Sequence, residues 1–180
     1  MGGESPPNGP CRWPSVLLFF NDKKYRESEM DIKTLLLERD LHDVLCRYAR
    51  ACDQRDWAAL EDVFLEEATA DYGGVHHLQG REPILDMIRM HLEGCGPSQH
   101  MLGNLLVDAN DSMVKSRVYV RAAHRGAGSL ADKTYETLAE YQDRWALTPA
   151  GWRIAHRRMD ISHEQGSREV LRPLIKVSGE

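Results

Sequence analysis

Two hydrophobic rhythms divide the chain. From Ile32 the apolar positions Leu35, Leu36, Leu41, Leu45, Tyr48 and Cys52 recur at helical spacing. They predict an amphipathic helix from Asp31, with a break near Asp40, whose carboxylate could cap its second half. Asp56 is placed to cap a short helix through Trp57, Leu60 and Phe64. Residues 69–72 and 76–78 read as short strands about a Gly73-Gly74 turn. Residues 82–92 read as another helix with Ile84, Met87, Ile88 and Leu92 inward, stopped by Gly94, Gly96 and Pro97. Beyond Pro97 the rhythm becomes alternating, and strands are predicted at 100–108, 113–124, 134–147 and 152–163. Helices first and an antiparallel meander afterwards is an α+β order. A strongly bent sheet wrapped around the helices would make a cone with an interior.

Residues 1–29 differ in composition from the rest of the chain, with Pro6, Pro7, Pro10 and Pro14 among glycines and then a charged patch, and read as a flexible leader. Met30, just before the first periodic helix, is a candidate natural start. One domain is expected over 30–166, with a tail at 167–180. The 180 residues are 42% hydrophobic and 28% charged, which is ordinary for a globular chain able to bury a core. A net charge of -5 disfavours a nucleic-acid partner. Arg153, Arg157 and Arg158 form a local basic run, read as a solvated strand edge with a partner contact. Cys11, Cys46, Cys52 and Cys95 show no paired metal spacing, so reduced thiols and a cytoplasmic location are expected. The apolar run 16–20 is too short to span a membrane or to serve as a signal-peptide core.

The candidate chemistry begins at Asp53. It falls on the apolar stripe of the first helix near its C-terminus, where the macrodipole disfavours negative charge by ~0.3–1 kcal/mol, so a compensating partner is expected. The plainer reading is that it opens the turn. In the second long strand His124 shares a face with Val114, Ser116, Val118, Val120 and Ala122. In the first, His100 falls with Leu102, Asn104 and Leu106. The last strand divides ambiguously between Trp152, Ile154, His156, Arg158, Asp160 and the alternate set. An interior collecting Asp53, Tyr72, His100 and His124 has the ingredients of proton chemistry. A carboxylate orients an imidazole base, Tyr72 can donate its hydroxyl to a developing enolate, and His124 can be a second donor or an acid for a departing hydroxyl. Taken singly, each histidine or tyrosine is more ordinarily a hydrogen-bonded core residue. His76, His77 and His91 read as hairpin and helix-surface residues. The eight histidines offer no metal-ligand spacing, and no phosphate loop, Rossmann glycine pattern or Gly-x-Ser-x-Gly is present.

Four stretches carry a resemblance: Cys52-Asp53-Gln54-Arg55-Asp56-Trp57, Ala70-Asp71-Tyr72, Ser98-Gln99-His100-Met101-Leu102-Gly103-Asn104 and Gly151-Trp152-Arg153-Ile154. From about Asp31 to Gly166 the chain resembles SnoaL-like domain proteins of the nuclear-transport-factor-2-like superfamily. The resemblance implies a cone-shaped α+β barrel, with N-terminal helices packed into a strongly curved mixed or antiparallel sheet. The nearest motif likeness is to scytalone dehydratase and related Asp–His dyad lyases. It implies Asp53 and His100 as the dyad, with Tyr72 and His124 beside the substrate. Cys52 stands where that enzyme has a tyrosine, and Ala139 near the place of its substrate-binding asparagine. The superfamily also holds isomerases, polyketide cyclases and proteins that only bind. The expectation is a cofactor-independent lyase or isomerase on a small apolar cyclic metabolite. Tyr48, Trp57, Met101, Asn104 and Met159 are the expected pocket lining. A homodimer or homotrimer through the outer sheet face, with Arg117, Tyr119 and Arg121, is also expected. The rival is a non-catalytic binding or assembly module.

Overall fold

The computed structural model describes residues 32–109 and 113–171. The expected leader, the Met30 start and most of the tail lie outside them. Helix α1 runs unbroken over Ile32–Gln54, so the helical periodicity is not interrupted at Asp40. Leu41, Val44, Leu45, Tyr48, Ala51 and Cys52 are buried at spacings of three and four, as one face of a helix requires. Ile32, Leu35 and Leu36, in its first turns, stay exposed. Arg55 and Asp56 close the helix: Asp56 N–H donates to Ala51 O at 3.0 Å and Arg55 N–H to Cys52 O at 3.4 Å. This is the Schellman pattern, and Arg55 takes its left-handed position at φ 60°.

A 3-10 turn at Ala58–Asp62 comes next, where Asp56 Oδ1 accepts from Ala59 N–H. Strand β1 (Phe64–Tyr72), β2 (His76–Gln79), helix α2 (Arg81–Leu92), and strands β3 (Ser98–Asp108), β4 (Val114–Arg125), β5 (Thr134–Thr148) and β6 (Gly151–Gly166) complete the order, before a last 3-10 turn at Arg168–Leu171. Gly73 and Gly74, at φ 64° and 68°, supply the left-handed pair that lets Val75 N–H close back on Tyr72 O. The sheet order is β2-β1-β6-β5-β4-β3. The expected meander β3 to β6 is antiparallel throughout, while β1 joins β6 in parallel, making the sheet mixed and open.

Register shifts interrupt β1/β6, β3/β4 and β5/β6. Such bulges bend and twist a strand, which is how a six-stranded sheet comes to wrap its helices. They also reverse which side chains face inward. In β3, Asn104 takes φ 56° beside the shift, and beyond it Leu105 and Val107 turn toward the core while Leu106 is 59% exposed. The expectation of a single face holding His100, Leu102, Asn104 and Leu106 therefore holds only as far as Leu102. In β6 the shift near Ala155 buries both Ile154 and Arg157.

The basic run is accordingly no solvated edge. Arg157 is fully buried, and its Nε and Nη2 donate to Asp143 Oδ1 and Oδ2 at 2.8 and 2.7 Å. Its Cζ lies 4.3 Å from the Tyr48 ring centroid and 4.1 Å from that of Tyr141. Arg153 is also buried and reaches Asp62, and only Arg158 is exposed. Removing one partner of a buried ion pair strands the other charge, at a cost of ~3–5 kcal/mol, whereas replacing both by apolar groups costs far less. Asp143→Ala should therefore lose about that much in urea unfolding, and the double variant Asp143→Leu/Arg157→Met should recover most of it. A loss in Asp143→Ala of less than ~1 kcal/mol would show that the pair does not sustain the core.

Candidate active site

The carboxylate of Asp53 leaves the last turn of α1 toward the start of β3. Its Oδ1 lies 2.7 Å from His100 Nδ1, and its Oδ2 accepts the His100 backbone N–H at 3.1 Å. Two bonds into one residue fix both the ring and its strand, and they offset the unfavourable helix end on which Asp53 sits. With Nδ1–H committed to the carboxylate, His100 keeps the lone pair of Nε2 free. The His100 side chain is only 6% exposed.

His100 opens into a cavity of about 400 Å³, within the usual range for small-molecule sites. Tyr48, Tyr72, His124 and Met159, all expected in the site, share its wall with His100. Asp53 stands behind His100. Met87, Ile88 and Leu92 of α2 supply an apolar side. The His100 and His124 rings meet edge to face at 5.4 Å. His124 Nδ1 is 3.0 Å from Ser98 Oγ, and its ring stacks on Tyr135. Among the described residues no group meets hydrogen-bond geometry with the buried Tyr72 hydroxyl, and Tyr48 stands beside it. Burial pushes the Tyr72 phenol up and nearby Arg157 pulls it down, with the net shift upward, so it remains a neutral donor.

His124 is pushed down to about 3 by burial first, and then by His100 and Arg55. That favours its neutral form and suits it to the expected role of a hydrogen-bond donor. Three residues expected in the pocket lining lie elsewhere. Met101 is 58% exposed because it alternates with His100, and Asn104 is turned outward at the bulge. Trp57 packs beneath Arg89, outside the cavity wall. Conversely, His76 and His91 line the cavity and contact each other edge to face at 5.5 Å. His76 sits on a hairpin strand, whereas His91 follows Met87 by four residues and Ile88 by three, on the inward face of α2, so its helical spacing was the signal that could have placed it at the cavity. Tyr135 and Tyr141 also line it and were missed, although both lie on the same face of β5 as Thr137 and Ala139. Among the described residues no three His, Cys, Asp or Glu are grouped to hold a metal ion.

The SnoaL-like domain profile matches residues 33–158. The chain belongs to the SnoaL-like domain family. Members similar to it include uncharacterized proteins of Mycobacterium tuberculosis and Mycobacterium bovis, 32% identical over 119 residues, which are 66% of this chain and 80% of theirs. Among solved structures, a protein of Novosphingobium aromaticivorans provisionally named scytalone dehydratase has a TM-score of 0.69 at 16% identity, over 81% of this chain and 97% of that one. A hexachlorocyclohexane dehydrochlorinase, LinA type 3 of Novosphingobium barchaimii, has a TM-score of 0.66 at 14% identity, over 76% and 94%. At these identities the likeness is one of fold, the cone-shaped α+β arrangement of nuclear-transport-factor-2-like proteins. No helix among the described residues of this SnoaL-like chain is long and apolar enough to cross a membrane.

The depressed His124 has a consequence for stability. Its ordinary value of 6.5 applies to the unfolded chain, so below that pH the unfolded state takes up a proton that the folded site refuses. The contribution of a neutral His124 is fully present above pH 6.5 and is lost as pH falls toward about 3. In urea titrations between these limits, wild type should lose up to ~1.4 kcal/mol per pH unit more than His124→Phe. Equal slopes would mean that His124 is not held neutral by the fold.

Proposed function

We propose that this chain is a cofactor-independent lyase or isomerase that abstracts a proton from a small, largely apolar cyclic metabolite such as a polyketide, steroid or aromatic compound. One observation carries the reading. Asp53 holds His100 at 2.7 Å with Nε2 free, at a cavity that also contains a buried Tyr72 hydroxyl and a neutral His124. Nε2 takes a proton from the carbon next to an activating carbonyl, and the imidazolium so formed sits against the Asp53 carboxylate. The electron pair moves toward the carbonyl oxygen, where Tyr72 O–H and His124 N–H are suited to receive it. The His100 proton is then returned either to another carbon, which gives isomerisation, or to a departing hydroxyl, which gives dehydration. Family membership supports this reading. So does the occurrence, among neighbours in fold, of proteins named for eliminations, a dehydratase and a dehydrochlorinase.

The same reading extends to assembly and location. Arg117, Tyr119 and Arg121 lie on the exposed face of β4, with Tyr119 56% exposed, and we assign that face to pairing between copies in a homodimer or homotrimer. Cys46, Cys52 and Cys95 are free thiols, consistent with the cytoplasm.

The test is turnover across a panel of cyclic ketones, hydroxylated aromatics and steroids, followed by proton release or loss of water. A positioned base is worth ~10²–10⁴-fold, so His100→Ala and Asp53→Asn should each lose that much while their thermal unfolding remains cooperative. If ligands bind but wild type turns none of them over, the chain is instead a binding module of this fold; if His100→Ala retains full turnover, His100 is not the base.

A further inference from the structure

Arg55 does more than end a helix. The left-handed position that it fills is the one glycine occupies at low strain, and its backbone needs only the two turn bonds already described. Its side chain, in contrast, is bonded through both terminal nitrogens. Nη1 donates to Cys52 O, while Nη2 donates to Gly96 O at 2.9 Å and to Ser98 Oγ at 2.8 Å. The guanidinium thus ties the end of α1 to the residues leading into β3, immediately before His100.

The bond to Ser98 fixes a proton inventory. Nη2 carries two hydrogens, and Gly96 O and Ser98 Oγ take one each. Ser98 Oγ is therefore an acceptor toward Arg55 and has its single hydrogen left to give. Two acceptors lie within reach: Gly96 O at 3.4 Å, already bonded to Arg55, and His124 Nδ1 at 3.0 Å. The shorter contact, to the uncommitted atom, takes the hydrogen. His124 Nδ1 is then an acceptor, so its one ring hydrogen resides on Nε2. Since His124 lines the cavity and Nδ1 faces Ser98, Nε2–H is the group left for a ligand.

We propose that Arg55 and Ser98 are positioning residues that hold His124 in its Nε2–H tautomer, so that the cavity presents a hydrogen-bond donor beside the lone pair of His100 Nε2. The two imidazoles, edge to face at 5.4 Å, are made unlike by their partners. A carboxylate that only accepts leaves His100 a base, and a hydroxyl forced to donate leaves His124 a donor. A ligand fitted to the pair carries an acidic C–H or O–H next to an oxygen acceptor, as an α-hydrogen beside a carbonyl does. The functional consequence rests on the proton-abstraction reading above; the tautomer does not.

Nitrogen-15 NMR of the histidine rings in the full chain, at neutral pH and without ligand, reads the tautomer directly. Wild type should show His124 protonated at Nε2 with Nδ1 in the lone-pair range. Ser98→Ala should shift His124 toward a tautomer mixture, Ser98→Thr should restore the wild-type signal, and Arg55→Gly, which keeps the left-handed turn, should also lose it. Cooperative thermal unfolding of each variant separates this loss from a loss of fold. Once a substrate is in hand, Ser98→Ala and Arg55→Gly should lower kcat with little change in KM, by less than the ~10²–10³-fold expected for deleting an oxyanion donor outright. A wild-type His124 protonated at Nδ1, or one whose signal Ser98→Ala leaves unchanged, overturns the proposal whatever His100 does. An Nε2–H signal that responds to Ser98, together with full turnover in His100→Ala, would instead overturn the dyad and leave the relay standing.

Discussion

A guanidinium sits in the hydrophobic core, and the rest of the molecule is arranged to permit it. Burying a charge costs several kcal/mol even after the protein relaxes, and attraction to one counter-ion recovers that only with good geometry. Arg157 meets the condition through its two-point contact with Asp143, with the faces of Tyr48 and Tyr141 lying 4.3 and 4.1 Å from its carbon. Cation–π contacts of this kind contribute ~0.5–2 kcal/mol each. The same two rings line the cavity, and Tyr48 stands edge-on to His100 at 6.5 Å. The charge in the core thus determines the floor of the cavity: moving Arg157 would tilt the rings that support the imidazole.

How far this was legible in the sequence depends on whether a pattern is local. The period-of-two signal in β4 places Ser116, Val118, Val120, Ala122 and His124 on one face, and all five are buried together. No bulge interrupts that strand's pairing with β5, so its phase survives from end to end. β3 and β6 differ because β3 gains one residue partway along and β6 gains two. Met101 needed only the alternation with His100 to be read as outward, whereas Asn104, Leu105 and Leu106 depended on a left-handed residue that no side-chain pattern announces. Arg157 is the larger case. Three arginines within six residues look like a solvated run, and only the register shift at Ala155 and the distant Asp143 make one of them a fully buried charge. The His76 and His91 pair was invisible for another reason: it joins a hairpin strand to a helix, a relation that belongs to packing.

Asp53 shows the reverse, where a local oddity was informative. A carboxylate near a helix C-terminus is in the wrong field, and the discomfort is small enough to be outweighed by two hydrogen bonds from one residue. The backbone bond matters as much as the ring bond, because it locks the strand to the helix and gives the imidazole no freedom to swing away. Arg55 is a second such oddity. An arginine in the left-handed region bears strain of ~1–2 kcal/mol that glycine would avoid, and its four side-chain hydrogen bonds are the visible compensation.

These pieces set the electrostatics of the cavity. Two imidazoles at 5.4 Å between ring centres cannot both be charged cheaply in a low-dielectric interior, and among the described residues Asp53 is the carboxylate bonded to the pair. That carboxylate touches His100. His124 meets instead a neutral hydroxyl backed by a guanidinium, and burial first, then His100 and Arg55, push its pKa down. In the proposed mechanism the roles of base and donor cannot be exchanged without moving Asp53 or Arg55, so the asymmetry of the site is set at the end of α1, two residues apart.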